Sequence, residues 1–206
     1  QGHETLIADL WDPEAVKKAL KEHRGKEPAP SILVNNNGGP PGGKAYESGT
    51  EAYQRAFSAH LLVPQLLVNH TVPFMQEKGY GRIVNIISTS VKQPIPGLGV
   101  SNTVRGAMAN WSKTLAGELG PDGITVNNVL PGFTETARLD SIIEKRSEKE
   151  GISPEQVRDD MMRSVPLGRP ADPQETADAI VFLASPAAAY ISGANLPVDG
   201  GRTGCL

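Results

Sequence analysis

A single cysteine, Cys205, stands in a chain of 206 residues, so no disulfide framework can staple the fold, and that usage fits a reducing compartment. Clustered positive charge is also missing. The formal charge is −3 and no basic run exceeds the pair Lys17-Lys18, which excludes a phosphate-neutralising face and argues against nucleic-acid binding. No apolar stretch approaches the ~18 residues needed to span a bilayer, and no signal-peptide pattern opens the chain. These absences predict a cytoplasmic protein with no membrane or nucleic-acid partner. Neither a repeat nor an interdomain linker interrupts the chain, so residues 1–206 read as one domain, long enough to bury a real core. The first residue is Gln1, within what reads as a strand, which predicts that a segment is missing ahead of it.

What is present alternates. Thr5 to Ala8 is a short apolar run that reads as a strand ending at Asp9, and Pro13 sits just inside the helix that follows. That helix carries Ala15, Val16, Ala19 and Leu20 at helical spacing and is predicted to stop at Gly25. Ser31 to Val34 reads as a strand buried on both faces. A Gly/Pro-rich loop, Asn37 to Gly43, precedes a long helix over about 51–77, with kinks predicted at Pro64 and Pro73. Further strands are predicted over 82–87, 124–129 and 195–198, and further helices over 102–119 and 175–184. Between them, residues 134–165 are charged and helical in pattern, with a helix restarting at Pro154.

Uniformly apolar strands alternating with helices predict an α/β domain, a doubly wound parallel sheet covered on both faces. Ligands in such folds bind beyond the carboxyl ends of the strands. The clusters Asp9, Asn35 to Gly39, Ser88 to Ser90 and Pro131 to Thr136 all fall at such ends. One of them alone would be turn chemistry; all of them on one edge predict a ligand cleft.

The same clusters resemble the short-chain dehydrogenase/reductase family, in particular its 3-oxoacyl-carrier-protein-reductase-like branch. The resemblance runs from Gln1 to about Gly201. It is carried by Asp9, Leu33-Val34-Asn35-Asn36 with Gly38, Gly81 to Ile86 before Ser88, Val126-Asn127, Pro131-Gly132, Pro166 to Arg169, and Val198 to Gly201. It implies a Rossmann-like fold, an NADP or NAD cofactor, a small carbonyl or alcohol substrate, and a homotetramer or homodimer. No metal site is predicted. Carried over position by position, it implies that Asp9, with Leu10, meets the adenine ring and that Asn35 and Asn36, with Asn37 and Gly38 beside them, border the cofactor. It likewise implies Ile86 at the strand end, Pro131 and Gly132 against the nicotinamide, and Thr134 and Thr136 near its carboxamide and the phosphates. Residues 134–165 would form a substrate lid.

Two departures qualify the resemblance. The family's G-x-x-x-G-x-G phosphate loop belongs with a first strand that this chain lacks, a deficit of at least one βαβ unit, roughly 30 residues. Asn37 to Gly43 does not replace it, since that stretch lacks the spacing and does not open directly into a helix. The second departure is chemical. The family uses an Asn, a Ser, and a Tyr followed four residues later by Lys. Thirteen positions beyond Ser88 stands Ser101, four more reach Arg105, and His60 occupies the Asn position. Asn37 also replaces the usual Ala.

Ser88 retains the ability to hydrogen-bond a carbonyl oxygen, and Arg105 supplies a permanent cation. Ser101 is a far weaker acid than Tyr and also suits an N-cap. His60, titrating near pH 7, is the candidate replacement proton donor. The leading expectation is an NAD(P)-dependent oxidoreductase with an atypical site of Ser88, Ser101, Arg105 and His60. The alternatives are a non-catalytic dinucleotide-binding or regulatory protein, and a non-redox enzyme on the same fold.

Overall fold

The computed structural model describes residues 5–23 and 29–205. Four strands, β1 (Ile32–Asn35), β2 (Gly81–Ile86), β3 (Ile124–Pro131) and β4 (Asn195–Val198), form one parallel sheet in the order β1-β2-β3-β4. Parallel neighbours need crossovers. These are α2 (Thr50–Phe57) with α3 (Val63–Lys78), then α4 (Gly99–Leu119), then α5 (Ala137–Glu150), α6 (Pro154–Met162) and α7 (Pro173–Ala184). An additional helix, α1 (Pro13–His23), precedes the sheet.

Alternation along the strands divides the core. Leu33, Ile83 and Val126 point to one face, where Val68 and Met75 of α3 and Leu115 of α4 cover them. Val84 and Val129 point to the other, against Leu183 of α7. Helices therefore lie on both faces, as expected of a doubly wound α/β fold. A separate cluster of Leu139, Ile143, Val157 and Met161 joins α5 to α6, so the 134–165 segment has a core of its own.

Three expectations need correction. Thr5 to Ala8 forms no strand, because no strand in the described sheet lies beyond β1 to pair with it. Only one face of β1 is buried: Ile32 and Val34 are 44% and 42% exposed, since α7 packs on β2, β3 and β4 but not β1. The irregularity in the long helix is a π-helical turn, Ser58–Leu62, just before Pro64, and α3 then runs through Pro73 without a break. A π turn releases backbone groups and re-aims side chains, and such turns recur at functional sites. Gly25 and the chain start lie outside the described residues.

Helix ends follow local chemistry. Asp172 caps α7 in a reciprocal box with Glu175, Ser153 caps α6 ahead of Pro154, and Gly79 ends α3 at φ +60°. Helix α4 starts at Gly99, three residues earlier than the spacing suggests. Ser101 therefore sits within its first turn and is not its N-cap. Asn102 ties that turn to the preceding loop instead, donating from Nδ2 to the Ile95 carbonyl at 2.9 Å.

Candidate active site

The strand register places four asparagines in one row, Asn35, Asn85, Asn128 and Asn195, across all four strands. Their amides are linked. Asn35 Nδ2 donates to Asn85 Oδ1 at 2.7 Å, Asn85 Nδ2 to Asn128 Oδ1 at 3.2 Å, and Asn128 Nδ2 to Asn195 Oδ1 at 2.8 Å. Ser112 of α4 joins the row, accepting from Asn85 Nδ2 at 2.9 Å and donating to Asn128 Oδ1 at 2.8 Å. Buried amides require partners, and a satisfied network fixes the sheet rigidly where it approaches the candidate cleft. The row ends at Asn35, whose Oδ1 is buried without a partner. Of these residues, only Asn35 stands out in the sequence as a site candidate. The signal for the others is an Asn at equivalent depth in each apolar strand.

Asn35 borders a cavity of about 80 Å³ at the carboxyl edge of β1 and β2, where Leu10, Asn36, Asn37, His60, Ile86 and Arg105 converge. Arg105 is 8% exposed. Its Nη1 donates to the Ile86 carbonyl at 2.9 Å, and among the described residues no carboxylate pairs with it. Burial pushes its pKa down to about 10, which still leaves it cationic at neutral pH. A buried guanidinium without a counter-ion is costly, so this cavity favours an electron-rich guest.

His60 lies in the π turn and is 2% exposed. Burial and, secondarily, the Arg105 charge push its pKa down to about 4, while a hydrogen bond to the Gly38 backbone opposes the shift. The imidazole is therefore neutral at pH 7, which corrects the expectation of a histidine titrating there. Its Nε2 is buried without a partner, and Trp11 meets the ring edge-on at 5.8 Å. Asn37 Nδ2 donates to the Ala59 carbonyl in the same turn at 3.1 Å. The two unusual residues, Asn37 and His60, thus belong to one local arrangement.

The remaining candidates do not line this cavity. Ser88 Oγ accepts from the Ser90 amide at 3.1 Å, just past the end of β2. Ser101 precedes Arg105 by one turn of α4, so the two share a helix face; no hydrogen bond holds its hydroxyl among the described residues. Gly132 follows β3, and a Cβ there would meet Asp199 Cα at 2.7 Å, so only glycine allows the closure of its amide on the Val198 carbonyl. Thr134 and Thr136 shape the turn into α5, and Arg138 Nη2 reaches the Pro40 carbonyl at 3.5 Å, tying the lid to the Gly/Pro-rich loop. Asp9 is exposed, follows no strand and accepts the Trp11 amide at 2.9 Å; it lies outside the cavity that Leu10 lines. Among the described residues no group of three or more His, Cys, Asp or Glu side chains is placed to hold a metal ion, and no helix is long and apolar enough to cross a membrane.

Comparison with known proteins adds to this geometry. A family model described as enoyl-(acyl carrier protein) reductase matches residues 1–203. Meso-2,3-butanediol dehydrogenase of Serratia marcescens is 30% identical over 95% of this chain and 73% of its own length. The L-sorbose reductase of Gluconobacter frateurii, solved with NADPH and L-sorbose, superimposes with a TM-score of 0.90 at 29% identity, covering 98% of this chain and 77% of that one. A single-site variant of actinorhodin polyketide ketoreductase, solved with NADPH, does so with a TM-score of 0.86 at 30% identity, covering 96% and 77%. This chain thus spans about three quarters of each of these proteins.

Proposed function

Because the chain belongs to the short-chain dehydrogenase/reductase family, we propose that it is an NADP- or NAD-dependent oxidoreductase that interconverts a carbonyl and an alcohol through an atypical active site. The observation that carries the reading is the buried, unpaired Arg105 guanidinium sharing one cavity with the orphaned Nε2 of His60 and the orphaned Oδ1 of Asn35. Apart from the Arg105 bond to the Ile86 carbonyl, these groups have no protein partner among the described residues, at the edge where such folds take their ligands. They fit the ribose and carboxamide of a nicotinamide nucleotide.

In this reading Arg105 donates to ribose hydroxyls, Leu10, Asn36, Asn37 and Ile86 wall the cavity, Gly38 meets the cofactor beside them and holds His60 through its backbone, and Asn35 offers its free Oδ1 to an amide or hydroxyl donor. Pro131 and Gly132 present a flat backbone surface, with Thr134 and Thr136 beside it. When bound, the reduced nicotinamide supplies a hydride. Ser88 donates its hydroxyl hydrogen to the substrate carbonyl oxygen, and the Arg105 cation offsets the negative charge that develops there. Ser101, one turn away on the same face of α4, relays the proton to that oxygen from solvent. His60 acts as a neutral imidazole, with Nε2 holding a water in the relay rather than storing the proton itself.

The test is nicotinamide oxidation followed with a panel of aldehydes and ketones. Ser88→Ala and Arg105→Ala should each lower kcat/KM by about 10²-fold or more, as removal of an oxyanion donor does. His60→Gln should remove turnover while leaving cofactor binding intact. Cofactor binding without turnover on any carbonyl would instead favour the non-catalytic reading. A homotetramer or homodimer is part of the proposal. Val181 and Phe182 on α7 are 66% and 44% exposed, apolar side chains suited to contact with a second copy; light scattering measures the assembly.

A further inference from the structure

A second cavity, of about 160 Å³, is lined by Thr89, Gln93, Ser164, Arg202 and Thr203, with Pro94 to Pro96 as one wall. Its position is set by two neighbours of the proposed chemistry. Thr89 directly follows Ser88, and the Arg202 guanidinium lies over the Phe133 ring at 4.3 Å, one residue past Gly132. Ser164, at the base of the lid, accepts from Arg202 Nε at 3.4 Å. The arginine is thus held flat and oriented, yet its two terminal nitrogens have no partner among the described residues.

Asp199 attracts Arg202 electrostatically but forms no ion pair with it among the described residues. Its carboxylate is engaged by the chain itself, with Oδ1 accepting the Gly201 amide at 3.0 Å and Oδ2 the Thr203 amide at 2.8 Å. Thr89 is 3% exposed and its hydroxyl makes no hydrogen bond among the described residues, although it borders the cavity. The Gln93 side-chain nitrogen is likewise unused there, its Oε1 accepting the Gly204 amide at 3.2 Å. The cavity therefore presents a stacked guanidinium fork, a hydroxyl and an amide, and the Pro-rich wall offers apolar contact but no proline N–H donors.

We propose that this cavity binds the carboxylate of the substrate, so that the protein acts on short keto acids or the corresponding hydroxy acids, with Arg202 as the specificity-determining residue and Thr89 as a second donor. A planar guanidinium with both terminal nitrogens free matches a carboxylate bidentately. Thr89 follows Ser88 in the chain, which brings the cavity next to the segment that carries the residue proposed to meet the carbonyl. The inference rests on the oxidoreductase reading for the identity of the carbonyl, but not for the anion site itself.

Acetoacetate and its methyl ester separate the two questions. The wild type should reduce the acid with a KM at least about tenfold below that of the ester. Arg202→Met keeps an unbranched side chain over Phe133 but loses the fork; it should raise KM for the acid by roughly tenfold to a hundredfold, the range expected for a hydrogen bond to a charged group, and leave the ester unchanged. Arg202→Lys should recover part of the loss. Calorimetric titration of acetoacetate into each protein, with thermal unfolding as a fold control, reads binding without turnover. Equal KM values for acid and ester in the wild type, or an acid preference that survives Arg202→Met, would overturn the inference while leaving hydride transfer standing. Acetoacetate binding that depends on Arg202, without turnover of either compound, would uphold the anion site and defeat the oxidoreductase reading. The absence of both binding and turnover would overturn the inference.

Discussion

Replacing Asn85 by Ala should be among the most damaging single changes in the sheet. Asn85 is fully buried, and its amide is the only partner of Asn35 Nδ2 among the described residues while it also donates to Ser112 and Asn128. Ser112 and Asn128 keep each other, at 2.8 Å, and Asn128 keeps Asn195. Asn35 keeps nothing, since its Oδ1 already has no partner. An orphaned buried donor costs about 1–3 kcal/mol, and the lost bonds to the rest of the row add about 1 kcal/mol, for a total of roughly 3 kcal/mol. For a chain of this size that is a fall in Tm of roughly 6–12 °C. Urea unfolding of the wild type, Asn85→Ala, Asn35→Ala and the double variant measures the cost and the coupling. The double variant should fall short of the summed single costs by at least about 1 kcal/mol, because the second deletion removes the orphan that the first creates. Strict additivity, or an Asn85→Ala cost below about 1 kcal/mol, would refute the ladder as a coupled unit.

The His60 pKa gives a pH dependence of stability with a definite sign. The folded value, about 4, lies below the ordinary 6.5, so the unfolded chain binds the extra proton between them. Stability is full above pH 6.5 and falls as pH drops toward 4, by at most about 3 kcal/mol. His60→Asn should flatten that part of the profile in denaturant titrations at successive pH values, and an unchanged profile would contradict the buried neutral imidazole. Asn37→Ala should cost about 1 kcal/mol by freeing the Ala59 carbonyl, and should lower kcat more than it raises KM by loosening the turn that carries His60. Gly132→Ala places a Cβ 2.7 Å from Asp199 Cα; backbone must move, and thermal unfolding should show a loss above about 2 kcal/mol, with weakened nicotinamide binding.

The parallel sheet and its helices were legible because uniformly apolar runs such as Ile83-Val84 and helical stripes such as Val104, Met108 and Leu115 report burial directly. The edge clusters were legible because Asn, Gly, Ser and Pro gather in successive positions where each apolar run stops. Five features were not. The open face of β1 and the unpaired Thr5 to Ala8 run look like any apolar segment, since a sequence does not say which neighbours are present to cover it. The π turn at Ser58–Leu62 leaves no mark beyond Pro64, because one extra residue in a helical turn preserves the apolar pattern on either side. The neutrality of His60 depends on its burial beside Arg105, and the asparagine row on strand register; both are tertiary facts about residues far apart in the chain.

Calorimetric titration of NADPH and of NADH into the full-length wild type and its Arg105→Ala variant, phosphate-loop segment included, tests the central claim most directly. The arrangement of Arg105, His60 and Asn35 predicts micromolar binding of at least one nucleotide and its loss, by about tenfold or more, when Arg105 is truncated. Binding of neither nucleotide by the wild type, or equal binding by the variant, would contradict the assignment of this cavity to the cofactor.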